Sequence, residues 1–125
     1  MFYRKIHELP AFVAGDSTRL REVLRPERDG LDLPYSLAQA ELDPGTASDP
    51  HRLAHSTELY LFVAGSGMAI VNGQEIEVAA GSVVLIPQNA EQYVRNTGRE
   101  ALVFFCVVAP PWRAEQEVIL DQHPE

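Results

Sequence analysis

Cysteine is almost missing from the chain, with Cys106 the only one among 125 residues. No disulfide can close within it, which fits a reducing, cytoplasmic setting. None is needed, because a domain of this length buries roughly two-thirds of the surface its unfolded chain exposes. Long apolar runs are missing too: the longest, Ala101 to Ala109, is about half of what a membrane span requires. The opening residues, Met1 to Ser17, lack the apolar core and small-residue cleavage site of a secretory signal. The expected protein is soluble and cytoplasmic. Positive charge is scarce, with ten basic residues against eighteen acidic ones and a formal net charge of −8. The nearest approach to a basic cluster, Arg19, Arg21, Arg25 and Arg28, is broken by Glu22, Glu27 and Asp29. A nucleic-acid binder gathers its cations on one face to displace counterions from phosphates. Nucleic acid and anionic membrane are therefore excluded as partners. There is also no Gly-rich phosphate loop, no paired metal-binding cysteines and no nucleophile-elbow serine. No organic cofactor is expected.

What the chain does have is short runs of β-branched and aromatic residues between turn signals. Ser36 to Leu42 reads as a strand closed by Asp43-Pro44-Gly45, and a polar loop follows from Thr46 to Pro50. Glu58 to Ala64 is the strongest strand of the first half. Asn72-Gly73, between Met68–Val71 and Glu75–Val78, predicts a hairpin with a type I′ turn, because both central residues of that turn need positive φ. On the returning strand Ile76 and Val78 share one face, expected buried, and Glu75 and Glu77 share the wet one. Ser82 to Ile86 stops at Pro87, Gln92 to Asn96 follows a turn, and Ala101 to Val108 is apolar on both faces. Such spacing points to an all-β sandwich or barrel of one domain. The first residues are ambiguous. Asp16-Ser17-Thr18 suits a helix cap, yet Leu20, Val23 and Leu24 fit either a helix or an edge strand. We read 1–34 as an arm laid against the main domain, 35–112 as that domain, and 113–125 as a tail holding one amphipathic turn before it frays.

Two segments resemble the cupin motifs. In the first, five residues separate Gly45 from His51, and six separate Glu58 from Gly65. In the second, Gly81, Pro87, Asn89, Gln92 and Asn96 fall on the five motif positions without a gap. The glycines Gly45, Gly65 and Gly81 stand at strand ends, where a sharp turn is expected and a Cβ would clash. Asn89, where the family has Gly, is expected to keep the turn by taking positive φ. Pro50 to Leu53 and Trp112 resemble features of short single-domain cupins. The resemblance implies a jelly-roll (double-stranded β-helix) barrel with its pocket inside.

In that family two His and a Glu of the first motif and a His of the second converge on a divalent metal, here Mn, Fe, Ni, Cu or Zn. Carried over, the positions are His51, Leu53, Glu58 and Gln92. Leu53 ligates nothing, and Gln92 offers only a neutral amide oxygen. His55 lies two residues beyond Leu53 and is the candidate to restore a nitrogen, although Glu58 breaks the strand parity between them. Two readings of His51 stand open: a metal ligand, or a pocket residue bonded to Glu58 without metal. Tyr60 and Phe62 share the face of Glu58 by alternation and are expected to line the pocket. Cys106 is either a buried inert thiol or a pocket-facing one. His7 and His123 are expected to be exposed and without a role.

The function implied is a small-molecule pocket inside the barrel, either holding one divalent ion or binding its ligand without metal. The competing reading is a metal-dependent enzyme of dioxygenase, isomerase or decarboxylase type. The apolar residues of the arm suggest a homodimer. Neither a catalytic residue nor a substrate can be read from the chain.

Overall fold

Alternation of inward and outward side chains runs through most of the chain, and strands form wherever it does. The computed structural model describes residues 1–120, and the expected role of His123 lies outside them. The strands are β1 (Phe12–Val13), β2 (Arg19–Leu24), β3 (Ser36–Leu42), β4 (His51–Leu53), β5 (Thr57–Ala64) and β6 (Ser66–Val71), then β7 (Gln74–Ala79), β8 (Val83–Ile86), β9 (Gln92–Arg95), β10 (Leu102–Ala109) and β11 (Glu117–Ile119). One helical turn, α1 (Pro26–Asp29), follows β2. No helix among the described residues is long and apolar enough to cross a membrane.

The strands form two antiparallel sheets. One has the order β1-β2-β3-β10-β5-β8 and the other β11-β4-β9-β6-β7. They face each other as a jelly-roll barrel, the all-β fold expected. The inner faces of β3, β5 and β10 change character along their length. At one end Leu42, Phe62, Leu102 and Phe104 are nearly free of solvent, and Phe62 and Phe104 stack with ring centres 4.9 Å apart. Toward the other end, register sets Cys106 beside Tyr60 and Val108 beside Glu58 on β5, and Cys106 beside Ala38 on β3. Ala38 and Ala40 are too small to fill the space opposite them, so that end of the barrel is hollow.

Several expectations change. Asp16 caps no helix: its Oδ1 accepts from the Thr18 backbone N–H (3.1 Å) and hydroxyl (2.6 Å), a tight turn that leads into β2. The segment before Tyr35, read as an arm laid against the main domain with either a helix or an edge strand in it, carries a strand: β2 hydrogen-bonds onto β3, with Leu20 against the core and Val23 buried. The expected fraying turn after Trp112 is a short 3-10 turn at Ala114–Gln116 followed by β11, which pairs with β4. Ile76, expected buried, is 47% exposed, because β7 is the edge of its sheet and only Val78 reaches the core. At Gly45 and Gly81 a Cβ would meet nothing within 4 Å, so positive φ alone asks for glycine there. At Gly65 both demands hold: φ is +83° and a Cβ would fall 2.5 Å from the Ala101 carbonyl oxygen. Asn72 and Gly73 adopt φ of 50° and 79°, as the type I′ turn requires, and Asn89 sits at 65°.

Candidate functional site

The hollow end of the barrel is a cavity of about 270 Å³. All three segments read from the sequence contribute to its wall: Asp16 before β2, His51, Glu58, Tyr60 and Cys106 from the strands, and Glu117 from β11.

His51 opens β4 and is 3% exposed. Its Nδ1 lies 2.8 Å from the Asp49 carbonyl oxygen, to which it donates, leaving the Nε2 lone pair turned toward the cavity. The same Asp49 also holds the N-terminal turn, its backbone N–H donating to the Asp16 carbonyl at 2.6 Å. One residue therefore positions both side chains. Asp16 Oδ2 lies 3.7 Å from His51 Nε2, too far for a hydrogen bond. Glu117 approaches from the other side, because β11 runs along β4 with Glu117 opposite Leu53 and Ile119 opposite His51. Its Oε2 comes within 3.6 Å of where a Cβ on Gly15 would stand, which places the carboxylate against the Asp16 turn. Burial raises the proton affinity of Glu117, and Asp16 adds to that rise, while His51 and a hydrogen bond from Trp112 oppose it. The ligating atoms of Asp16, His51 and Glu117 all lie within 4.8 Å of one another, close enough to share one cation.

Glu58 sits deeper on β5 and is 7% exposed. Its Oε1 has no hydrogen-bond partner among the described residues. Burial, with repulsion from Asp16 and Glu117, pushes its pKa up to about 8 against the opposing hydrogen bonds of Gln92 and Cys106. At neutral pH the carboxyl is mostly protonated. Cys106 faces the cavity, and burial followed by the charge of Glu58 drives its pKa up, so it is a thiol and not a reactive thiolate. None of the carboxylates Asp16, Glu58 and Glu117 is ion-paired with Lys or Arg among the described residues.

The remaining expected residues fall as follows. Gln92 is 1% exposed, its amide oxygen accepts from the Tyr60 hydroxyl at 2.5 Å, and it does not line the cavity. His55 is exposed, outside the cavity wall, with its backbone N–H bonded to Gln116, so the parity break before Glu58 turns it outward. Phe62 is a core residue and does not line the cavity, because it sits one layer below Tyr60. His7 is exposed. The four positions matching the family's ligands thus leave His51 and Glu58 as available donors, too few for a metal site of their own. Sequence reading missed Asp16 and Glu117. Asp-Ser-Thr as a self-bonded turn and the strand-like Glu117-Val118-Ile119 were the available signals.

Two facing sheets with an ionisable cavity between them define a jelly-roll barrel. The cupin domain family matches residues 38–108, more than half of the chain, and this protein belongs to that family. An uncharacterised protein of Methanocaldococcus jannaschii is 27% identical over 115 residues, covering 91% of this chain and 90% of that one. Among solved structures, a predicted oxalate decarboxylase of Thermotoga maritima superposes with a TM-score of 0.78 at 20% identity, over 87% of this chain and 99% of that one. The polyketide cyclase RemF of Streptomyces resistomycificus gives 0.78 at 22% identity, over 97% and 87%. At those identities the likeness is one of fold.

Proposed function

We propose that the barrel binds a small organic molecule in its inner cavity together with one divalent metal ion. The observation that carries this reading is the cavity itself: about 270 Å³, walled by an imidazole and four carboxyl groups, of which Glu22 is paired with Arg25 while Asp16, Glu58 and Glu117 have no Lys or Arg partner among the described residues. That volume is near the lower end for ligand pockets, so the guest is a small metabolite. A carbonyl or carboxylate oxygen on it would complete the coordination of an ion, and the Glu58 carboxyl and Tyr60 ring would hold its other end. Soaking the protein with a panel of small keto acids, hydroxy acids and sugars while following the melting temperature, with and without metal, tests the reading. A guest that raises the melting temperature only when the cavity is intact supports it. No stabilisation by any guest in either state, with the cavity left empty in a ligand-soaked crystal, overturns it.

One observation favours a second reading, a metal-dependent enzyme of decarboxylase, isomerase or dioxygenase type. A carboxyl poised near neutral pH inside a pocket suits general acid–base work. The Thermotoga maritima and Streptomyces proteins, described as a predicted decarboxylase and a cyclase, keep that reading in view. Turnover lost in Glu58→Gln with metal binding retained would establish it.

We also propose that the protein works in the cytoplasm as a homodimer. Cys106 is free and buried, in keeping with a reducing compartment; recovery in an exported fraction would overturn that placement. Of Leu20, Val23 and Leu24, expected to meet a partner, Leu20 packs against the core, Leu24 lines the cavity and Val23 is buried. The paired surface is instead the outer face of β5 and β8, where Leu61, Val63, Val83 and Leu85 are exposed.

A further inference from the structure

The family's metal position has lost two imidazoles, yet the remaining one, His51, has two carboxyl groups from outside the motifs within 4.8 Å. Asp16, Glu58 and Glu117 all line the cavity, and none is ion-paired with a Lys or Arg among the described residues. We propose that the divalent ion has moved within the barrel, from the positions the family motifs mark to a site built by Asp16, His51 and Glu117. This rests on the reading that the cavity takes a metal, and it says which side chains hold it.

Three independent features of the molecule point to that triplet. The first is orientation. A metal-bound imidazole ordinarily donates its second nitrogen to a carbonyl or carboxylate, which fixes the tautomer. His51 does so to the Asp49 carbonyl at 2.8 Å, and its free Nε2 looks toward Asp16 and Glu117. The second is spacing. His51 Nε2 and Asp16 Oδ2 stand 3.7 Å apart. Two donors each about 2.1 Å from one zinc-like ion are separated by roughly 3.0–3.4 Å, so closure by a few tenths of an ångström suffices. Asp16 Oδ1 is meanwhile occupied by Thr18, which leaves Oδ2 for the ion. The third is register. Glu117 is the cross-strand partner of Leu53, the residue that stands where the family's second imidazole would be. Cross-strand partners point to the same face, so β11 brings a carboxylate to the layer in which β4 has lost its ligand.

Glu58 adds an observation independent of the cluster. It is 7% exposed, lines the same cavity, and keeps Oε1 without a partner. A buried polar atom left unsatisfied in a native protein calls for an explanation. A water or a guest bound to an ion in the triplet would supply its hydrogen bond. One nitrogen and two carboxylate oxygens suit Mn(II), Fe(II) or Zn(II), with open positions left for such a guest.

The ion would also tie together residues that lie 66 positions apart on one side of the triplet and 35 on the other, counted from Asp16, His51 and Glu117. Metal should therefore act on stability as well as on binding. The test uses full-length protein without an affinity tag, stripped with chelator, then titrated with MnCl₂ or ZnCl₂. Bound metal is counted by elemental analysis after desalting, and the melting temperature is followed in parallel. The expected result is about one equivalent in the wild type, with a rise in melting temperature of roughly 5 °C at saturation. Asp16→Asn and Glu117→Gln should each weaken uptake by at least about tenfold. Glu58→Gln should bind within about twofold of wild type, because its carboxyl is not a ligand. Far-UV circular dichroism checks that each variant folds, and Glu117→Gln, which keeps an oxygen for Trp112, carries the test if Asp16→Asn does not fold. Wild-type uptake that survives both Asp16→Asn and Glu117→Gln but is lost in Glu58→Gln overturns the relocation and leaves the proposed metal in the cavity. Wild-type protein that takes up neither ion overturns both.

Discussion

Glu58 shows how one buried group shapes the behaviour of the folded state. Its pKa in the folded protein lies near 8, against 4.5 as the ordinary value, chiefly through burial. Between those limits the folded state holds a proton that the unfolded chain has released. Stability therefore falls as pH rises across that window, which is the reverse of a salt-bridged carboxylate. Below pH 4.5 the contribution is fully present, and above about 8 it has gone. In chelator-treated protein the loss should amount to a few kcal/mol, read as a falling melting temperature from pH 5 to pH 8. Glu58→Gln should flatten that slope. An equal slope in the variant would assign the effect to other groups. His51 and Glu58 were legible as cavity residues because each stands at a fixed place in a local motif, whereas Gln92, at its motif position, is buried behind Tyr60 and does not line the cavity. Asp16 and Glu117 were not. Asp16 reaches the cavity by a self-bonded turn that resembles a helix cap, and Glu117 by strand pairing across more than sixty residues, which no local pattern encodes.

At the scale of the element, the two kinds of glycine make different predictions. Gly65 closes the turn between β5 and β6 with φ of +83°, and a Cβ there would meet the Ala101 carbonyl oxygen at 2.5 Å and Leu102 Cα at 2.9 Å. These neighbours are backbone of one adjoining segment and cannot swing away as a flexible side chain would. Gly65→Ala should cost about 3 kcal/mol or more, from left-handed strain together with the clash. Gly73→Ala, at φ +79° with no atom within 4 Å, should cost only the strain, roughly 1–2 kcal/mol. Urea denaturation of the two variants beside wild type measures the difference, and equal costs would mean that the sheet yields at Gly65. Strands were legible for the same reason that these glycines were: turn residues and alternation act within a few positions. The burial of Ile76 was not, because alternation gives the face of a strand but not its place in the sheet. As an edge strand β7 has little core to cover. The outward turn of His55 likewise depended on how the chain crosses from β4 to β5, which strand parity does not give.

The whole molecule presents one surface at odds with a lone barrel. β8 is the outer strand of the six-stranded sheet, and its outward residues Val83 and Leu85 are 57% and 66% exposed. Beside it on β5, Leu61 and Val63 are 37% and 43% exposed, with Leu61 directly opposite Val83. An open edge is ordinarily blunted by Lys, Pro or an inward charge, and the stretch Val83-Val84-Leu85-Ile86 carries none. With its backbone groups unpaired on one side, β8 is suited to meet a second β8 across a two-fold axis, since an isologous contact needs only a surface complementary to itself. A larger heterologous partner would leave its own mark as charge matched to charge, and this face has no charge to match. Multi-angle light scattering at micromolar concentration should therefore give twice the chain mass of 13.9 kDa. Leu85→Glu should shift the population toward monomer while leaving metal uptake intact, because β8 contributes no residue to the cavity wall. A wild-type mass of one chain would remove the dimer. A dimer unaffected by Leu85→Glu would move the contact to other exposed apolar ground, such as Phe12 and Val13 on β1 at the edge beside Asp16, or Val118 and Ile119 on β11.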